Sequence, residues 1–262
     1  MTTMELSPIR PFGPLRHSLA LAGRSLVKTM RNPDHLLDVT LQPIMFTAMF
    51  TFLLGGAVAG DTEEYLRTLV PGVLVMVTLF ASMQSGVNFN DDIKKGIFDR
   101  FRSMPIGRSA PLIGAVLGDA IRYVVAITVL LVFASLLGYR IDTDPLHALA
   151  ACLLVMALAF AVSWVFVLLG ALMRDPGAVQ GTAFIVLFPL TFGSDMLAPT
   201  ETLPGWLQAW VDVNPGAQAM EAARGLMMGG PVAGPVIATL LWSAGIIAVF
   251  APLAVNAYRR RS

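Results

Sequence analysis

The sequence predicts an all-α integral membrane fold with six membrane-spanning helices, on three observations. The first is composition: 56% of the 262 residues are hydrophobic and only 13% are charged, whereas a soluble domain is near a quarter charged. The second is the grouping of those residues into six apolar runs, near 37–59, 68–89, 112–137, 147–172, 177–197 and 235–257. Each approaches the ~20 residues that a helix needs to cross ~30 Å of hydrocarbon. The third is that no run shows the period-two alternation of a barrel strand, which leaves the helix as the spanning structure that satisfies its own backbone.

The elements follow in chain order. The N-terminal stretch lacks the apolar core and small-residue cleavage site of a signal peptide. Within 12–31, Leu15, Leu19, Ala22, Leu26 and Met30 share one side of a helical wheel, opposite His17, Arg24, Lys28 and Arg31. Such a basic-faced amphipathic helix is expected to lie on the inner membrane surface. Asn32-Pro33-Asp34 breaks it before the first span. Between the second and third spans, at 94–108, Ile97, Phe98, Phe101 and Met104 recur at helical spacing, with Asp99, Arg100 and Arg102 turned away. That is a helix of about two turns, too short to be stable alone in water. It needs a surface to pack on: the membrane, the rest of this chain, or a groove on a partner in which Phe98 and Phe101 are anchors.

The third span holds two charges, Asp119 and Arg122, at i and i+3. Intramembrane charges are costly and point to function or to mutual neutralisation. The motifs Gly114-x-x-x-Gly118 and Gly177-x-x-x-Gly181 permit close helix approach. Only MRDP, at 173–176, separates the fourth and fifth runs, so they form a tight hairpin. Residues 198–234 are too polar and too rich in Pro and Gly to span, yet they carry Trp206, Trp210, Met220 and Leu226. Two short helices half-sunk in the outer leaflet fit that pattern, with Glu221 and Arg224 at i, i+3 as a candidate ion pair.

Charge sets the expected orientation. With the N-terminus inside, fourteen Lys and Arg residues lie on the inner side, among them Lys94, Lys95, Arg100, Arg102, Arg174 and the tail Arg259–Arg261. Only Arg67, Arg140 and Arg224 lie outside. That bias predicts a multi-pass protein with both termini cytoplasmic, and the absence of an outer Asn-x-Ser/Thr site agrees with a bacterial plasma membrane. The net charge of +1 makes no case for nucleic acid. The single cysteine, Cys152, excludes an internal disulfide framework and reads as a small apolar residue. No G-x-x-x-x-G-K-[ST], H-E-x-x-H or G-x-S-x-G motif occurs. No catalytic or metal-ligating residue is therefore expected, and any ATP must be handled by another chain.

Three segments together resemble the permease subunit of a type-2 ABC exporter, close to the daunorubicin/doxorubicin-resistance branch. They are the loop DDIKKGIFDRFRSMPIGRSAPLIGAVLGD, the outer segment FGSDMLAPTETLPGWLQAWVDVNPGAQAMEAARGL, and the spacing of six spans with a long last outer loop. The resemblance covers nearly all of 1–262, read as a single transmembrane domain. It departs at Gly216, Ala217 and Asp195, where the family carries other residues.

The resemblance implies that 94–108 is a coupling helix docking into a separate ATPase subunit through Ile97, Phe98, Arg100, Phe101, Arg102 and Met104. It implies that 198–234 is a re-entrant helical pair acting as an outer lid, with Trp206, Trp210, Glu221 and Arg224. It implies two permease chains, identical or paralogous, with two ATPase subunits that carry ATP and magnesium. It also implies a hydrophobic or amphipathic cargo and a cavity walled by Phe80, Met83, Gln84 and Phe184. The alternatives left open are an exporter of lipid or lipid-linked glycan, a membrane scaffold that recruits a cytoplasmic partner, and a lipid-modifying membrane enzyme. The last of these would need clustered catalytic residues.

Overall fold

A computed structural model describes residues 33–58, 62–97, 110–196 and 200–261. All regular structure among them is helical. In chain order the helices are α1 (Pro33–Val58), α2 (Thr62–Lys94), α3 (Ala110–Leu136), α4 (Pro145–Leu172), α5 (Pro176–Phe192), α6 (Gly205–Val213), α7 (Pro215–Met228) and α8 (Ala233–Arg261), with a 3-10 turn at Thr200–Thr202 before α6. Four segments are long and apolar enough to cross a membrane: Glu64–Lys94, Gly118–Leu136, Pro145–Leu172 and Ala233–Tyr258. Val39–Gly55 and Pro176–Phe192, at the expected first and fifth spans, are shorter apolar helices of 10–17 residues. They sit at the lower limit of ~17 residues for a spanning helix. The amphipathic helix expected at 12–31 lies outside the described residues, as do Phe98, Arg100, Phe101, Arg102 and Met104 of the expected coupling helix.

α2 is the central helix. It packs against α1, α3, α4, α5 and α7, and every side chain from Leu69 to Met83 is buried. Two of its buried polar residues bond to their own helix: Thr78 Oγ1 donates to Leu74 O at 2.6 Å and Ser82 Oγ to Leu79 O at 2.6 Å. α4 is its largest neighbour and also packs against α8.

The α2–α4 contact depends on glycine. A Cβ on Gly86 would collide with Phe166 O, and one on Gly170 with Gly86 O, so the two backbones touch at this crossing. The closest approach is therefore not at the expected Gly177-x-x-x-Gly181 motif. A Cβ at Gly181 would meet nothing, and one at Gly177 would meet only its own cap residue Asp175.

Among the described residues, three helices begin on a capping acid or amide followed by proline. Asp144 Oδ1 accepts from His147 N at 2.9 Å, Asp175 Oδ1 from Ala178 N at 2.8 Å, and Asn214 Oδ1 from Gly216 N at 2.9 Å. The side-chain oxygen satisfies a free N–H of the first turn, and the proline at the first helical position has no N–H to lose. These caps start α4, α5 and α7. The His147 N–H bond also holds the Asp144 carboxyl below its ordinary range, helped by the His147 ring.

The bundle has two distinct ends. At one, Phe89 of α2 meets Tyr258 of α8 edge to face, 6.0 Å apart. Asn90 of α2 donates to Gly170 O and Met173 O, at 2.8 Å each. α2 ends just beyond, where Gly96 takes φ +64°, a conformation that glycine adopts without strain. At the other end, the 137–144 connection is fastened to the end of α7. Asp142 N donates to Met227 O at 3.1 Å, Thr143 Oγ1 donates to Leu226 O at 2.7 Å, and the Tyr139 hydroxyl lies 3.3 Å from Met228 Sδ. Burial pushes the Tyr139 phenol well above its ordinary range, and Asp142 adds to the effect. Arg67, near the start of α2, pairs with Asp142 at 2.9 Å.

Candidate functional site

α1, α2, α3 and α5 border an open-sided cavity of about 330 Å³. Phe80, Met83 and Gln84 of α2 and Phe184 of α5, the four residues expected in a cavity wall, all line it. Phe80 and Phe184 meet edge to face with centroids 5.4 Å apart, a favoured aromatic geometry. Phe46 of α1 and Phe188 and Phe192 of α5 extend the aromatic wall. Gln42 and Gln180, which residue-level reasoning does not single out, add amides from α1 and α5.

Arg122 enters this cavity from α3. It is 2% exposed, and its Nε and Nη1 have no hydrogen-bond partner. The anticipated neutralisation by Asp119 does not occupy those donors. Asp119, one turn earlier, is buried and has a partner of its own.

The second group of expected residues lies at the α7 end. α7 packs into the bundle: Ala219, Met220, Ala222, Ala223 and Met227 are fully buried against it. α6 stays outside, with Trp206 74% exposed, and Trp210 Nε1 donates to Pro189 O at 3.3 Å. Arg224 does not pair with Glu221. Its Nη1 bonds Asp195 Oδ2 at 2.6 Å, with side-chain exposures of 27% and 14%. Glu221 is exposed, so water competes for its charge, whereas an acid withdrawn from water holds the guanidinium more firmly. Asp195, Arg224, Glu221 and Asp212 line a polar cavity of about 510 Å³ at this end.

Asn214 joins the two segments, and sequence reasoning does not mark it as a site residue. It is fully buried. Its Nδ2 faces three carbonyls at the end of α5: Pro189 O at 3.3 Å, Leu190 O at 3.1 Å and Gly193 O at 2.8 Å. These belong to the last turn of a helix and its cap, where carbonyls run short of partners within the helix; of the three, Pro189 O also accepts the Gly193 N–H. Gly216, at a position where this chain departs from the expected pattern, sits so close to Leu190 O that a Cβ there would collide. The signal in the sequence is the pair Asn214-Pro215, legible as a helix start but silent about α5.

At the opposite end, Ile97 is the last described residue before the expected docking loop and is half-buried. Lys95 pairs with Asp91 at 2.6 Å, and that bond raises the Lys95 pKa. Among the described residues no group of three His, Cys, Asp or Glu side chains could hold a metal.

Comparison with known proteins identifies the family. The family model for ABC-2 type transporters matches residues 16–228. The chain is 43% identical over 239 residues to the daunorubicin resistance ABC transporter permease protein DrrB1 of Streptomyces coeruleorubidus, covering 91% of this chain and 84% of that one. It is 28% identical over 268 residues to the probable doxorubicin resistance ABC transporter permease protein DrrC of Mycobacterium tuberculosis, covering 99% and 96%. It is 24% identical over 223 residues to the putative transport permease ycf38 of Cyanophora paradoxa, covering 83% and 76%. With a family model spanning most of its length and a close relative matched nearly end to end, this chain belongs to the ABC-2 type transporter family, whose members are membrane permease subunits.

Proposed function

We propose that this chain is the permease half of an ATP-driven exporter that moves hydrophobic or amphipathic compounds, drugs and antibiotics among them, out of a bacterial cell. The observation that carries the reading is the 43% identity, over 91% of the chain, to a permease named for daunorubicin resistance. In this reading α1 and α5 span the membrane together with the four longer helices, and both termini are cytoplasmic. Two permease chains stand above two ATPase subunits that hold ATP and magnesium. Ile97, Phe98, Phe101 and Met104 seat the 94–108 segment on an ATPase subunit. Closure of the ATPase pair moves that segment. α2 carries the motion upward, and Asn90 passes it to the end of α4 through its two carbonyl bonds. The transport requirement is two bundle states that differ in affinity for cargo and are biased by the partner's nucleotide state.

The test is co-purification with the ATPase subunit. Phe98→Asp with Phe101→Asp is expected to abolish association while leaving the permease folded in detergent. Undiminished association would remove the docking segment from this reading.

A further inference from the structure

We infer that the cavity between α1, α2, α3 and α5 binds an amphipathic anion, with a carboxylate or phosphate head on Arg122 and an apolar body on the phenylalanines. The inference rests on the exporter reading for its physiological meaning, but the binding stands on the geometry alone. Arg122 is the one charged residue among the described residues lining the cavity, and no acid lines it. Its Nε and Nη1 are buried without a hydrogen-bond partner. A buried, unsatisfied, charged donor is costly. A planar guanidinium offers adjacent N–H groups that match the two oxygens of an oxyanion.

The remaining polar groups are neutral. Gln42, Gln84 and Gln180 add amides to the lining, and Gln84 Nε2 already donates to Asn88 Oδ1 at 3.2 Å. Asp119 lies outside the lining and does not bond either of those two donors. The apolar side of the ligand meets Phe80, Phe184 and Phe188. A volume of about 330 Å³ is at the small end of ligand pockets, which suits a body of one or two aromatic rings. A cationic head gains nothing here and would face the arginine charge.

Photolabelling with matched benzophenones tests this on the purified full chain in lipid nanodiscs. The probes are 4-benzoylbenzoate, its methyl ester and 4-(aminomethyl)benzophenone. Benzophenone reacts readily at methionine, and Met83 lines the cavity. The carboxylate is expected to label the Met83 peptide at least tenfold more than the amine does. R122Q should lower carboxylate labelling about tenfold, to the level of the ester, and leave ester labelling unchanged. R122K should retain part of the preference. Amine labelling equal to or above that of the carboxylate, or an R122Q chain labelled as strongly as the parent, overturns the anionic head. Absence of label at Met83 from all three probes overturns the cavity as a binding site. The exporter reading fails separately, if the parent chain does not co-purify with an ATPase subunit. Charge-blind labelling leaves that reading standing, and a parent chain that labels charge-selectively but binds no ATPase subunit leaves the site standing.

Discussion

Asn214 shows how one side chain can hold together two helices that are distant in sequence. Its amide group donates to the end of α5 while its oxygen caps α7. Asn214→Asp keeps the cap but turns an oxygen toward three carbonyls. Asn214→Leu removes both functions. Each should destabilise the protein by roughly 2–4 kcal/mol, from about 1 kcal/mol per lost bond plus the buried carbonyls left unpaired. Thermal unfolding in detergent, followed by intrinsic fluorescence, reads this, and an Asn214→Asp chain as stable as the parent would refute it.

Arg224 is the second case at this scale. Asp195→Asn and Arg224→Gln should be coupled by about 1–2 kcal/mol in a double-mutant cycle, whereas Glu221→Gln paired with Arg224→Gln should show coupling near zero. The i, i+3 spacing of Glu221 and Arg224 is visible in sequence. The Asp195 partner is not, because 29 residues separate it from Arg224 and only tertiary packing brings them together.

At the scale of elements, apolar periodicity and Pro/Gly punctuation locate every helix among the described residues, including the α4–α5 hairpin and the short pair α6 and α7. What they cannot supply is which face of each helix meets which neighbour. Gly177 and Gly181 have the spacing of a crossing, yet the crossing occurs at Gly86 and Gly170, on different helices and with no local pattern to mark it. The burial of α7 escapes the sequence for a related reason. Its alanines and methionines suit an interface or a core equally well, and only the packing of α2, α4 and α8 around it decides. Gly86→Ala and Gly170→Ala should each cost about 1–3 kcal/mol, through a Cβ forced against a carbonyl. Gly181→Ala should cost nothing and should gain up to ~1 kcal/mol from helix propensity. Calorimetric or fluorescence melting of the three variants ranks them, and equal losses at 86 and 181 would contradict the assigned crossing.

At the scale of the whole molecule, the charge pattern and the structure divide the protein in the same way. Arg67, Asp142, Asp195, Asp212 and Arg224 gather at one end. Asn90, Met173 and Tyr258 gather at the other, close to Lys95 and Arg174 in the chain. The sequence predicts which residues share a side because positive charge marks the inner face of a membrane. It does not bring Gln42, Arg122 and Gln180 into the cavity beside Phe80, because the four come from four helices and converge only when the bundle is assembled. In a chain with Cys152→Ser, a cysteine at exposed Asp212 should react with an impermeant maleimide on whole cells, and one at exposed Arg174 only after lysis. The reverse pattern would invert the orientation.

The joint between α5 and α7 has one more consequence, and it concerns the ageing of the protein. Asparagine is ordinarily lost by deamidation, when the backbone nitrogen of the next residue attacks the side-chain amide and closes a succinimide ring. The next residue here is Pro215, whose nitrogen carries no hydrogen and is a poor nucleophile for that closure. The proline that starts α7 therefore also shields the amide that ties α7 to α5, and the joint should keep its chemistry for the working life of the chain.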